Sequence, residues 1–136
     1  VDEIEDNVFH VSSRINSTWG GSLVDMVRSS KIMEIIEEDK LCDNAAQMGE
    51  YLQAQLADIA TRAPLISNVR GKGLLTAFDF PDKNKRDTFI TKGLDNNVMF
   101  LGCGDKSIRF RPALIIDQEH INTGLEILEK IAKTLY

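Results

Sequence analysis

The spacing of the apolar residues changes period four times along this chain, and those changes limit the folds open to it. From Ser22 onward Leu23, Val24, Met26, Val27, Ile32, Met33, Ile35 and Ile36 recur at helical spacing. Ala45, Met48, Leu52, Leu56 and Ile59 form a second helical stripe over roughly 41–61. Residues 74–80 then alternate, with Leu75, Ala77 and Asp79 opposed to Leu74, Thr76 and Phe78, the two-residue period of a strand. Short strand runs also fall at 65–69, 98–101 and 107–110, with a helical stretch at 84–96 between them. Ile121, Leu125, Leu128, Ile131 and Leu135 restore the helical period at the end. The order is α, α, β, β, α, β, β, α, with hairpin-like connections joining the strands in pairs. It reads as a two-layer α+β domain, a small, mostly antiparallel sheet covered by helices.

Local signals punctuate this pattern. Ser22 is placed to cap the first helix, with Asp25 three residues on as its acidic partner. The apolar positions of that helix cover more than one face, which predicts a largely buried element. Met26, Met33 and Met48 are expected as core fillers. Pro64 closes the second helix, and Arg70-Gly71-Lys72-Gly73 joins the first two strands. Phe89, Ile90 and Leu94 share one face of the third helix, and Asn96-Asn97 tolerates a left-handed end. Gly102-Cys103-Gly104-Asp105 reads as the turn between the last two strands, and Asp117 as the cap of the last helix.

A chain of 136 residues suits one compact domain. Sixteen basic against twenty-one acidic side chains leave no positive footprint for nucleic acid and no polybasic run for a membrane surface. No apolar stretch approaches the ~20 residues of a membrane span, and no signal peptide is expected. Cys42 and Cys103 fit no metal spacing; two free thiols in a reducing, cytoplasmic compartment are expected, with no metal site. Val1 in place of Met fits a piece of a longer chain.

Three segments could carry chemistry. In Asn16-Ser17-Thr18-Trp19-Gly20-Gly21 a hydroxyl stands beside two glycines ahead of a helix N-terminus, a reasonable phosphate contact and equally what any capped helix entry looks like. Arg109 and Arg111 are two apart and share a face of a strand, while Ile108 and Phe110 point into the core. An arginine there can grip a carboxylate through its planar fork, or form an ordinary surface ion pair. The Arg70–Gly73 turn reads as a plain link before an anion site. His10 and His120 read as surface or packing residues, and no nucleophile triad or paired zinc histidines occur.

Three motifs, Ser13-Arg14-Ile15-Asn16-Ser17-Thr18-Trp19-Gly20-Gly21, Val69-Arg70-Gly71-Lys72-Gly73-Leu74 and Gly102-Cys103-Gly104-Asp105-Lys106-Ser107-Ile108-Arg109-Phe110-Arg111-Pro112, fall in this order and spacing. Together they resemble the C-terminal portion of class III pyridoxal-phosphate-dependent aminotransferases of fold type I. The first is most similar to the L-lysine 6-aminotransferases, and the last also to the 4-aminobutyrate aminotransferases. The resemblance implies a division into 1–21, the tail of the large cofactor-binding domain; 22–39, an interdomain helix; and 40–136, the C-terminal small domain. It implies that Thr18 binds the phosphate of pyridoxal 5'-phosphate in the partner subunit of a homodimer. It assigns Arg109 to the α-carboxylate of glutamate or 2-oxoglutarate, where an upstream glutamate can mask it, and Asn16 and Ser17 to the substrate pocket. The implied reaction moves the terminal amino group of L-lysine to 2-oxoglutarate, giving glutamate and a semialdehyde. The alternatives are a 4-aminobutyrate aminotransferase and a non-catalytic α+β binding or dimerisation module. The Schiff-base lysine of the family lies upstream of Thr18, and residues 1–17 hold no lysine, so no catalytic residue is assigned and the chain alone is expected to be inactive.

Overall fold

A computed structural model describes residues 10, 14 and 21–135. Eight elements follow in the expected order: α1 (Leu23–Glu38), α2 (Leu41–Arg62), β1 (Ser67–Lys72), β2 (Leu75–Asp79), α3 (Lys83–Asp95), β3 (Leu101–Cys103), β4 (Ser107–Phe110) and α4 (Gln118–Lys133). They divide into two compact units, 1–39 and 40–136.

In the first unit Ser22 is extended, and its hydroxyl accepts the Asp25 N–H at 3.4 Å. The Asp25 carboxylate takes the Arg28 guanidinium at 2.6 Å, so the returning half of a capping box is not made. The expectation of a largely buried helix is corrected here: no residue of α1 is buried. Met26 and Met33 are likewise exposed, not core fillers. Apolar side chains spread over more than one face of a single helix cannot cover one another, so their sequence pattern marks a demand for cover without meeting it.

The second unit is a four-stranded antiparallel sheet in the order β1-β2-β4-β3 with helices on one face. Its core joins Leu52, Leu56 and Ile59 of α2, Phe89 of α3, and Ile121, Leu125, Leu128 and Ile131 of α4 to Phe78 and Ile108 of the sheet. Phenylalanines thread that core: Phe80 and Phe89 lie 5.0 Å apart between ring centres, Phe89 and Phe100 4.7 Å. Each such ring contributes large buried area and a further increment from edge and offset contacts. Asp82 and Asp117 cap α3 and α4 by accepting the N–H groups of Lys85 and His120, both at 2.9 Å.

Several boundaries differ from those read in the sequence. Arg70 to Lys72 belong to β1, and the turn is centred on Gly73, with φ 53. β3 begins at Leu101 and includes Gly102 and Cys103; the turn that follows needs only Gly104, with φ 52. Gly102 pairs with Ile108, and a side chain there would crowd the helical layer: a Cβ would sit 2.8 Å from the Arg86 side chain. Leu94 is exposed, and Arg86 and Gly93 take the inner positions of α3 beside Phe89. Asn97 adopts φ 60, as the Asn-Asn pair allows.

Gly49 fixes how closely α2 approaches the β1–β2 turn. A Cβ there would lie 2.2 Å from the backbone carbon and oxygen of Gly73. Backbone cannot rotate aside as a side chain can. Gly49→Ala is therefore expected to destabilise by about 3 kcal/mol, the upper end of overpacking costs. Gly124→Ala, at a position in α4 with nothing within 4 Å of the added carbon, should stabilise by roughly 0.5–1 kcal/mol through helix propensity. Urea unfolding of the two variants beside the parent chain checks both signs.

Candidate functional site

The alternation of β4 decides which way Arg109 faces. Ile108 is fully buried and Phe110 packs against the core, so Arg109 is on the opposite, open face of the sheet. Pairing places Arg70, Ala77, Arg109 and Leu101 in one row across all four strands. Arg109 is exposed and makes no side-chain hydrogen bond or ion pair among the described residues. The surface ion pair that the sequence left open is thus not formed there. Arg111 lies one residue beyond the end of β4 and is also exposed.

Asp79 occupies the next row of the same face, opposite Ser107. It is buried, and three side chains donate to it. Arg70 donates to Oδ1 at 2.9 Å, the Ser107 hydroxyl to Oδ1 at 2.6 Å, and the Asn68 amide to Oδ2 at 2.9 Å. Arg70 also donates to the Ser107 hydroxyl at 3.2 Å and to the Asn68 carbonyl at 2.8 Å. The reach of Asn68 depends on a bulge: β1 carries one extra residue between Ser67 and Arg70, and Asn68 takes φ 52 there. Sequence reading missed Asn68, Asp79 and Ser107. The signal available was an acidic residue closing an otherwise apolar strand.

Two further anchors hold β4 and the segment after it. Arg86 of α3 is buried and donates to the carbonyls of Gly104 and Ser107 at 3.2 and 3.5 Å, with Asp87 at 2.5 Å. It ties both ends of the β3–β4 turn to the helical layer. Asn44 of α2 donates to the carbonyls of Leu114 and Ile116 at 2.7 and 3.0 Å, which fixes the chain beyond Pro112. Thr18, Asn16 and Ser17 lie outside the described residues. Next to them Gly21 has φ 83 with nothing within 4 Å of where a Cβ would stand, and Ser22 caps α1. Cys42 and Cys103 are free and exposed, and His120 is an exposed residue paired with Asp117 at 2.6 Å. No group of three metal-ligating side chains occurs among the described residues, and no helix among them is long and apolar enough to cross a membrane.

The class-III aminotransferase family model matches residues 2–132. The chain is 44% identical over 130 residues to the L-lysine-epsilon aminotransferase of Amycolatopsis lactamdurans, covering 94% of this chain and 29% of that protein. It is 40% identical over 119 residues to the mitochondrial 4-aminobutyrate aminotransferase of Sus scrofa, covering 87% and 24%. Among solved structures, a lysine aminotransferase from M. tuberculosis matches with a TM-score of 0.87 at 39% identity, over 99% of this chain and 31% of that one. The chain spans less than a third of the length of each of these proteins.

The Asp79 cluster has a pH signature. Burial pushes its carboxyl upward as the largest single influence, but the hydrogen bonds from Ser107, Asn68 and Arg70 together outweigh it and hold the group at about 2, against an ordinary 3.8. A depressed carboxyl stabilises the fold fully above its unfolded value and loses that contribution as pH falls towards the folded one. The stability advantage of the parent chain over Asp79→Asn should accordingly be constant above about pH 4 and shrink between about pH 4 and pH 2. Urea unfolding at a series of pH values reads it.

Proposed function

The chain belongs to the class-III aminotransferases, and we propose that it is the C-terminal part of an enzyme that moves the terminal amino group of L-lysine to 2-oxoglutarate, giving glutamate and a semialdehyde. What carries the reading is Arg109: an arginine on an open sheet face, with no acidic partner among the described residues, in a chain 44% identical to a lysine-epsilon aminotransferase. A planar guanidinium left unpaired can accept a carboxylate in two parallel charge-assisted hydrogen bonds. Arg109 is thereby the group that holds the α-carboxylate of 2-oxoglutarate and of the glutamate it becomes. Arg86 and Asn44 keep the strand and the following segment still, so the guanidinium is offered from a fixed base.

Pyridoxal phosphate, when bound, supplies the electron sink that such a transfer needs. Thr18 is assigned to its phosphate, and Asn16 and Ser17 to the edge of the substrate pocket. An open glycine turn at Gly21 running into a capped helix N-terminus suits an anionic neighbour, which supports that assignment. In this reading 1–21 ends the large cofactor-binding domain, 22–39 is an interdomain helix and 40–136 is the small domain. The exposed apolar residues of α1, among them Leu23, Val24 and Val27, then belong against other parts of a homodimer whose subunits share the phosphate site. The lysine that reacts with the cofactor is outside this chain, so the chain alone carries no activity. The two free thiols suit a reducing, cytoplasmic setting.

A second reading, 4-aminobutyrate aminotransferase, is favoured by the 40% identity to the porcine enzyme. It keeps the role of Arg109 and changes the amine donor. In either case Arg109→Ala in the complete cofactor-loaded enzyme should weaken 2-oxoglutarate binding by about 2–4 kcal/mol. The KM for 2-oxoglutarate measures it, and a KM equal to that of the parent enzyme would remove the carboxylate role.

A further inference from the structure

Arg70 and Arg109 flank β2 on the same open face, one on each neighbouring strand, both in the row of Ala77. Asp79 is one row further along β2 and is therefore a diagonal neighbour of both. Diagonal neighbours in an antiparallel pair are within reach of a long side chain. Two arginines can thus compete for one carboxylate, and only Arg70 holds it. Both carboxylate oxygens are occupied, Oδ1 by Arg70 and Ser107, Oδ2 by Asn68. The Ser107 hydroxyl is two residues from Arg109 on β4 and is itself engaged by Arg70. Every contact that satisfies Asp79 comes from a residue other than Arg109.

We infer that Arg70 is a specificity-determining positioning residue: by holding Asp79, it keeps the local carboxylate off Arg109 and leaves that guanidinium to the carboxylate of the acceptor substrate. This rests on the reading of Arg109 as the carboxylate contact. An intramolecular acid one row away has a high effective concentration, so if released it would act as a built-in competitor of 2-oxoglutarate. The function of the Arg70–Asp79 pair is then neutralisation as much as fastening. Losing Arg70 and losing Asp79 should have opposite consequences for Arg109. Without Arg70 the acid keeps Ser107 and Asn68 but loses its one cation, and Arg109 is the other arginine within diagonal reach; without Asp79 there is nothing to capture it.

The test is steady-state kinetics of the complete cofactor-loaded enzyme with 2-oxoglutarate as the varied substrate, each variant first shown to be folded by its thermal unfolding curve. Arg70→Met should raise the KM for 2-oxoglutarate by about tenfold, with kcat at saturating acceptor unchanged. The double variant Arg70→Met/Asp79→Asn should return the KM to near the parent value, and Asp79→Asn alone should leave it there. Neutralising Asp79 also removes the cost of a buried carboxylate left without its cation, so the kinetic pattern separates competition from loss of structure: a competing carboxylate raises the KM for 2-oxoglutarate with kcat unchanged, whereas a disturbed strand lowers kcat as well. An unchanged KM in Arg70→Met, or a double variant as impaired as the single one, overturns the inference. If Arg70→Met does not fold, Arg70→Gln removes the same charge while keeping a polar side chain at that position, and the same rise and the same rescue by Asp79→Asn are expected; their absence overturns it equally. Arg109→Ala run alongside keeps the two claims apart. A raised KM in Arg109→Ala with no effect of Arg70→Met rejects only the role of Arg70, whereas an unchanged KM in Arg109→Ala rejects the carboxylate reading itself.

Discussion

A single carboxylate fastens three of the four strands. Asp79 belongs to β2, its donors Asn68 and Arg70 to β1, and its donor Ser107 to β4. A buried charge is costly unless it is paired and its lone pairs are satisfied. Here both oxygens have donors, and the three strands must hold their register for those donors to be in place. The bulge at Asn68 is part of the same arrangement, since it sets the spacing from which both Asn68 and Arg70 reach one side chain.

The other face of the sheet explains why this polar face is where it is. Thr76, Phe78 and Ile108 are buried against the helical layer, and a one-residue slip of β4 would turn Ile108 to solvent and Arg109 into the aromatic core. The register is therefore specified from both sides, by apolar burial beneath and by the Asp79 cluster above. Arg86 adds a third tie at the turn, and Gly49 lets α2 lie against the backbone of Gly73 at the far end of the hairpin. An arginine that must meet a small anion gains from the fixed strand and following segment that Arg86 and Asn44 hold, because ordering it at the moment of binding would cost affinity.

The order of the elements was legible because it depends on the periodicity of apolar residues, and that survives in a single sequence. The caps at Ser22 and Asp117 and the facing of Arg109 away from Ile108 followed from local rules. The Asp79 cluster was not legible: Asn68, Arg70 and Ser107 lie 11, 9 and 28 residues from it, and the bulge that brings two of them together leaves no mark in the alternation. Arg70 was read as part of a connecting turn, whereas it belongs to the strand. The apolar pattern of α1 predicted burial, which depends on what surrounds a helix and not on its own residues. Leu94 misled for the same reason, since Arg86 and Gly93 take the inward positions of the third helix beside Phe89.

Family membership rests on the whole chain, and the amine donor is the finer claim built on it. The most direct measurement is amine-donor preference in the complete protein loaded with pyridoxal phosphate, following glutamate formation from 2-oxoglutarate, with the isolated 136-residue chain as a parallel sample. Turnover of L-lysine well above 4-aminobutyrate by the complete protein, and none by the isolated chain, is the expected result. A preference for 4-aminobutyrate would keep the reaction and contradict the donor; a complete protein that binds the cofactor yet forms no glutamate from either amine would contradict the account at its centre.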